Sequence, residues 1–146
     1  MTENEPEILL VEGSKHDVEF MLEALTKYNL TDKIKVFQDG GEVLDYIFAT
    51  GKYSGCDTCK KLKVIILDIK LSKVDGLEVL QRIRASENTR MIPVVVFSSS
   101  PEDLDRVECY RLGANSYIIK PASYENFVNT VAEIGSYWLL QNIPAW

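Results

Sequence analysis

The strongest constraint on this chain is a rhythm: five short, β-prone apolar segments, each followed by a stretch whose apolar residues recur every three or four positions. The segments are Ile8-Leu9-Leu10-Val11, Ile34-Lys35-Val36-Phe37, Val64-Ile65-Ile66-Leu67, Val94-Val95-Val96-Phe97 and Tyr117-Ile118-Ile119. Most are continuously apolar rather than alternating, the pattern of parallel strands covered by helices on both faces. Between them, Val18, Met21, Leu22 and Leu25 mark one helical stripe, Val43, Leu44, Ile47 and Phe48 a second, and Leu77, Leu80 and Ile83 a third. Phe127, Val131, Ile134 and Trp138 mark a long last helix.

The punctuation agrees with this division. Ser14 is a candidate N-cap with Asp17 in the first turn, Asp39-Gly40-Gly41 and Asp75-Gly76 are turns, and Gly113 stands where a helix would end. Pro101, followed by Glu102 and Asp103, is expected to open the fourth helix. Strand then helix, repeated with short connections, implies an α/β fold: a doubly wound parallel sheet with right-handed crossovers. The 146 residues suit one domain, expected over 7–142, with a flexible arm over 1–6 and a tail over 143–146.

Several functional classes are disfavoured. The formal charge is -6 and no stripe of Lys or Arg could neutralise successive phosphates, so no nucleic-acid partner is expected. The acidic start Met1-Thr2-Glu3-Asn4-Glu5-Pro6-Glu7 is unlike a secretory signal, and no apolar run approaches the roughly 18 residues of a membrane span. A cytoplasmic protein with no membrane contact is expected. Cys56 and Cys59 have C-x-x-C spacing, but a structural zinc site needs four ligands, His16 is the only histidine and Cys109 is distant. An ordinary reduced loop pair is the expectation. There is no P-loop, dinucleotide-binding glycine fingerprint or nucleophile–histidine pair.

In open parallel sheets, ligand chemistry gathers beyond the carboxyl ends of the strands. Here those positions hold Glu12 and Gly13, then Asp68, then Ser98, then Lys120. Any one of them reads as a solvated loop residue or a cap; together they are two carboxylates, a hydroxyl and an ammonium.

With these residues the sequence resembles the receiver domain of two-component response regulators, from about Glu7 to Trp138. The resemblance rests on Leu10-Val11-Glu12, on Leu67-Asp68 before Leu71 and Asp75-Gly76, on Ser98, on Gly113-Ala114 before Tyr117, and on Lys120-Pro121. Tyr46 to Tyr53 before a long loop, and Tyr137-Trp138-Leu139 near the end, look closest to stand-alone receivers paired with bacterial phytochromes and related kinases. The resemblance implies a flavodoxin-like (βα)5 fold with strand order 2-1-3-4-5 and a signalling role, its only catalysis being its own phosphoryl transfer and dephosphorylation. It implies that Asp68 accepts a phosphoryl group from a histidine kinase, with Ser98 and Lys120 on the phosphoryl oxygens. Magnesium would be held by Asp68, by the Lys70 backbone carbonyl and, through water, by Glu12. Ser98 and Tyr117 would form the conformational switch.

The departure from the family is Gly13, where a second acid would bind magnesium directly. Metal binding is therefore expected to be weak or absent, and a pseudo-receiver that binds partners without phosphorylation is the alternative reading. Lys70, two residues beyond Asp68, is a candidate cation substitute that would make the site neutral with Glu12, Asp68 and Lys120. Its alternative is a solvent-facing lysine. Output is expected through a downstream protein, and Tyr137 and Trp138 are candidates for a homodimer contact, the alternative being a tail folded over its own domain.

Overall fold

The computed structural model describes residues 5–56, 59 and 61–146. Five parallel strands, β1 (Ile8–Val11), β2 (Ile34–Phe37), β3 (Val64–Leu67), β4 (Val94–Ser98) and β5 (Ser116–Ile119), form one sheet in the order β2-β1-β3-β4-β5. The helices are α1 (Lys15–Lys27), α2 (Gly40–Phe48), α3 (Gly76–Ala85), α4 (Asp103–Arg111) and α5 (Tyr124–Ser136), and α5 widens into a π-helical turn over Tyr137–Gln141. This is the doubly wound fold that the alternation of segments predicts.

Strand periodicity explains how two cores arise from one sheet. Leu9, Val11, Ile65, Leu67 and Val94 point to one face and pack with Val43, Leu44, Ile47, Val79, Leu80 and Ile83 of α2 and α3. Ile8, Leu10, Val64, Ile66, Val95 and Phe97 point to the other and pack with Met21, Ala24 and Leu25 of α1 and Phe127, Val131 and Ile134 of α5. Strands β1, β3 and β4 are buried throughout, which is why their sequences are continuously apolar.

Capping fixes where the helices begin. Ser14, Asp39, Asp75 and Ser123 each accept a hydrogen bond from the backbone N–H three residues on. The fourth helix departs from expectation: it begins at Asp103, not Pro101, and Glu102 occupies its cap without a side-chain bond. The buried Ser100 hydroxyl accepts from the Glu102 N–H at 3.4 Å and donates to Asp105 at 2.5 Å, so the turn after β4 runs through Pro101 before the helix starts. Gly113 closes α4 in a left-handed conformation with φ 103°, where its amide reaches the Tyr110 carbonyl.

Gly76 opens α3 against the end of β3, and a Cβ there would lie 2.3 Å from the Asp68 carbonyl oxygen. Only a glycine lets α3 start this close to Asp68.

At the ends of the chain, Pro6 is buried, and residues 1–4 of the expected arm lie outside the described residues. The last residues fold back: the Trp146 indole donates to the Leu62 carbonyl at 3.1 Å, and Leu139 is buried in the α1/α5 core. Within the C-x-x-C stretch, Cys56 is exposed and the Cys59 thiol faces the Ile47 carbonyl at 3.7 Å, while Asp57 and Thr58 lie outside the described residues. Among the described residues no helix is long and apolar enough to cross a membrane.

Candidate functional site

Ladder hydrogen bonds bring the sequence-predicted residues to one rim. The Glu12 N–H donates to the Phe37 carbonyl, the Asp68 N–H to the Val11 carbonyl and the Lys120 N–H to the Ser98 carbonyl, at 2.9, 2.9 and 2.8 Å. Each residue is thus the first beyond its strand, held by its neighbour. Glu12, Asp68 and Ser98 are buried, an expensive place for polar groups unless they are paired.

The pairing centres on Lys120. Its Nζ lies 2.7 Å from Glu12 Oε1, 2.9 Å from Asp68 Oδ2 and 2.7 Å from Asp17 Oδ2. The second oxygens of the two buried acids are bound locally: Glu12 Oε2 accepts from the Ser14 N–H and Asp68 Oδ1 from the Lys70 N–H, both at 3.1 Å. Burial works against the Lys120 ammonium, but hydrogen bonds to Asp17, Glu12 and Asp68 outweigh it and hold its pKa above the usual lysine value. Glu12 moves the other way for an acid: burial and then the Asp68 charge push its carboxyl up to about 7, against the pull of Lys120.

This shift has a measurable consequence. A carboxyl at about 7 when folded and 4.5 as its ordinary value binds more protons in the folded state between those limits. Its contribution to stability is therefore complete below about 4.5 and lost as the pH rises through about 7. Replacing Glu12 by Gln flattens the pH dependence of the urea midpoint between those values and stabilises the chain, relative to the native one, on the alkaline side. A variant with an unchanged pH profile contradicts the assigned shift.

Asp17 is the residue that sequence reasoning missed. It occupies the third position of α1, where an acid is sufficiently explained by the helix dipole and the Ser14 cap. Lys70, by contrast, does not stand among the carboxylates: its side chain is exposed and makes no ion pair among the described residues, whereas its N–H binds Asp68. The expected charge balance of Glu12 and Asp68 against Lys120 and Lys70 is replaced by Glu12, Asp17 and Asp68 around Lys120 alone.

The switch candidates are physically linked. Ser98 Oγ accepts from the Ser100 N–H at 3.3 Å, and the Tyr117 hydroxyl donates to the Ser100 carbonyl at 2.8 Å. The turn after β4 is thereby tied to the half-buried aromatic of β5. Tyr137 is half exposed, whereas Trp138 packs edge-on against it and partly against the α1/α5 core. The Cys109 thiol, buried under α4, is pushed up to about 11 by burial, then by Asp105 and Glu108, and stays protonated near neutral pH.

The donors that would meet a metal are Asp68, Glu12 and the Lys70 carbonyl, which lies 3.7 Å from where a Cβ on Gly13 would sit. These all-oxygen donors suit a hard divalent cation in kind. Among the described residues, however, no group of three or more His, Cys, Asp or Glu is arranged to hold a metal ion.

The family model of the response regulator receiver domain matches residues 8–132. The chain belongs to that family. It is a two-component signalling domain of flavodoxin-like fold. Over 132 residues it is 39% identical to the probable methanogenesis regulatory protein FilR2 of Methanothrix harundinacea, covering 90% of this chain and 83% of the relative. It is 32% identical to the response regulator Rcp1 of Synechocystis, covering 90% of this chain and 88% of Rcp1. The Mn2+-bound crystal structure of Rcp1 superposes with a TM-score of 0.87 at 30% identity, over 95% of this chain and 98% of that one. The phosphorylated cyanobacterial phytochrome response regulator RcpA gives 0.89 at 32% identity, over 97% and 99%.

Proposed function

We propose that this receiver is a stand-alone, cytoplasmic response regulator in which Asp68 accepts a phosphoryl group from a histidine kinase. The observation that carries the reading is the chain of contacts from Ser98 through the Lys120 backbone and ammonium to Asp68. It brings the strand ends that carry Ser98, Lys120 and Asp68 to one rim of the sheet, with the Lys120 ammonium 2.9 Å from the Asp68 carboxylate. Two relatives point the same way: RcpA is described as phosphorylated and as a phytochrome response regulator, and Rcp1 as a manganese-bound one.

In this reading an Asp68 carboxylate oxygen attacks the phosphorus of a kinase phosphohistidine, a P–O bond forms, the P–N bond breaks and the imidazole leaves. Two anions must meet, so the site needs positive charge and hydrogen-bond donors aimed at the equatorial oxygens. Lys120 supplies a mobile point charge and Ser98 one O–H donor. Bound magnesium, held by Asp68, by the Lys70 carbonyl and through water by Glu12, would add further charge neutralisation. Because Gly13 leaves it one ligand short, the chain's own cation, Lys120, carries more of that burden.

Capture of the phosphoryl group would draw the Ser98 hydroxyl toward it, and through Ser100 this disturbs the Tyr117 hydrogen bond, shifting the packing of α4 and β5. The output is contact with a downstream protein. Self-association through the last helix, with Tyr137 and Trp138 at its centre, is part of the same proposal, supported by the exposure of Tyr137, Leu140 and Ile143 along that end. A pseudo-receiver is the second reading, and the observation in its favour is that Lys120 already bridges Glu12 and Asp68 where Gly13 withholds a metal ligand.

Phosphotransfer separates the two. Incubated with an autophosphorylated histidine kinase that serves phytochrome-type regulators, the native chain gains label on an acid-stable, base-labile acyl phosphate, and an Asp68→Asn chain does not. Equal labelling of both chains removes Asp68 from the role, and labelling of neither favours the pseudo-receiver.

A further inference from the structure

A lysine ammonium has three N–H donors and no acceptor. In this site all three are taken, by Glu12, Asp17 and Asp68 at 2.7, 2.7 and 2.9 Å, so none is left for an incoming phosphoryl oxygen. One of the three contacts must open before Lys120 can act on a phosphoryl group.

The three are not equally replaceable. Glu12 is 2% exposed and its second oxygen is held by the Ser14 N–H, while Asp68 is held by the Lys70 N–H and is itself the acceptor. Asp17 is different: its side chain is 25% exposed, and among the described residues its carboxylate has Lys120 as its one hydrogen-bonding or ion-pairing partner. Water can take over the Asp17 carboxylate when the ammonium leaves it. Its place in the first turn of α1 is secured independently, since Ser14 caps that turn through the Asp17 backbone N–H. Asp17 also brings the carboxylates around Lys120 to three, the number that two acids after β1 plus the acceptor would have given had Gly13 been an acid.

We propose that Asp17 is a positioning residue for Lys120: it holds the third donor of the ammonium at the mouth of the site and is the ligand a phosphoryl group on Asp68 displaces. This rests on the reading of Asp68 as the acceptor. Asp17 therefore competes with the phosphoryl oxygens for the same N–H, and its negative charge also opposes them. Both effects weaken capture of a tetrahedral anion, and both are relieved when the charge of Asp17 is removed.

The test compares Asp17→Asn, Asp17→Glu and, as a control on the same helix that removes a charge without touching Lys120, the exposed Glu19→Gln. Beryllofluoride affinity is read by fluorine NMR at fixed saturating magnesium and at low and high salt. Asp17→Asn binds roughly tenfold more tightly than the native chain, as release of one charge-assisted hydrogen bond gives, and the gain survives high salt. Asp17→Glu stays near native, and Glu19→Gln gains about twofold at most, a gain that salt removes. An Asp17→Asn gain no larger than that of Glu19→Gln overturns the proposal.

A second readout needs no phosphoryl group: the Lys120 ammonium protons exchange slowly in the native chain and in Glu19→Gln, and faster in Asp17→Asn. If no chain binds beryllofluoride, the acceptor reading fails by itself, and ammonium exchange alone decides the role of Asp17. Unchanged exchange in Asp17→Asn refutes it.

Discussion

A Gly13→Asp chain binds magnesium at least roughly 100-fold more tightly than the native chain, since a direct ligand outweighs the 10- to 100-fold effect typical of an outer partner. The structure leaves room for the change. A Cβ at Gly13 meets only the Lys70 and Gln38 carbonyl oxygens, each at 3.7 Å, an ordinary contact distance. The Gly13 backbone is outside the left-handed region, so an aspartate adopts it without strain. The new carboxylate starts beside the Lys70 carbonyl, which turns two acids and a carbonyl into a fuller oxygen set. Calorimetric titration of both chains reads the difference directly. Equal magnesium affinity means that Gly13 is not where a metal ligand is missing.

Replacing Lys120 by Ala has the second large effect, on stability and chemistry together. It leaves Glu12 and Asp68, both nearly inaccessible, facing each other without a cation. Removing one partner of a buried ion pair costs about 3–5 kcal/mol, because the other charge stays buried and unpaired. The loss depends on pH in a stated direction. Lys120 lowers the Glu12 carboxyl, so without it Glu12 binds a proton more readily than at its native value of about 7. The variant is therefore most destabilised on the alkaline side and recovers as the pH falls and Glu12 becomes neutral. Urea unfolding at pH values on either side of the native value shows this, and the same chain loses phosphoryl capture at every pH. A Lys120→Ala chain with native stability under alkaline conditions would remove the ammonium from its central place.

The strands were legible because β1, β3 and β4 are buried on both faces, which forces an unbroken run of Ile, Leu and Val that few other structures require. Asp68, Lys120, Glu12 and Ser98 were legible for a related reason: in a parallel sheet, the residues at and just after the strand ends are positioned by the register, which is readable from the apolar runs; Ser98 proves to be the last residue of β4, the other three the first beyond their strands. Asp17 was not, since an acid at the third helical position is already accounted for locally. Only the folded chain, in which the first turn of α1 meets the end of β5, reveals its contact with a lysine 103 positions away. Lys70 illustrates the converse: proximity in sequence to Asp68 suggested a charge partner, yet the backbone N–H does the binding and the ammonium points to solvent. The start of α4 escaped because Ser100 makes side-chain bonds to Glu102 and Asp105 that hold the turn open past Pro101. The widened turn after Ser136 escaped too, because Tyr137 to Gln141 continue the apolar spacing of α5 while their backbone does not continue its hydrogen-bonding.

In the proposed function the carboxylate of Asp68 is a working acceptor beside a resident cation, Lys120. Intact-mass measurement after exposure to a small phosphodonor with magnesium tests it most directly, because it needs no cognate kinase. One added phosphoryl group is expected on the native chain, none on Asp68→Asn and none on Lys120→Ala. A native chain that stays unmodified while Gly13→Asp, treated identically, takes up the group would contradict it, showing that Lys120 and the remaining donors do not suffice without the missing acid.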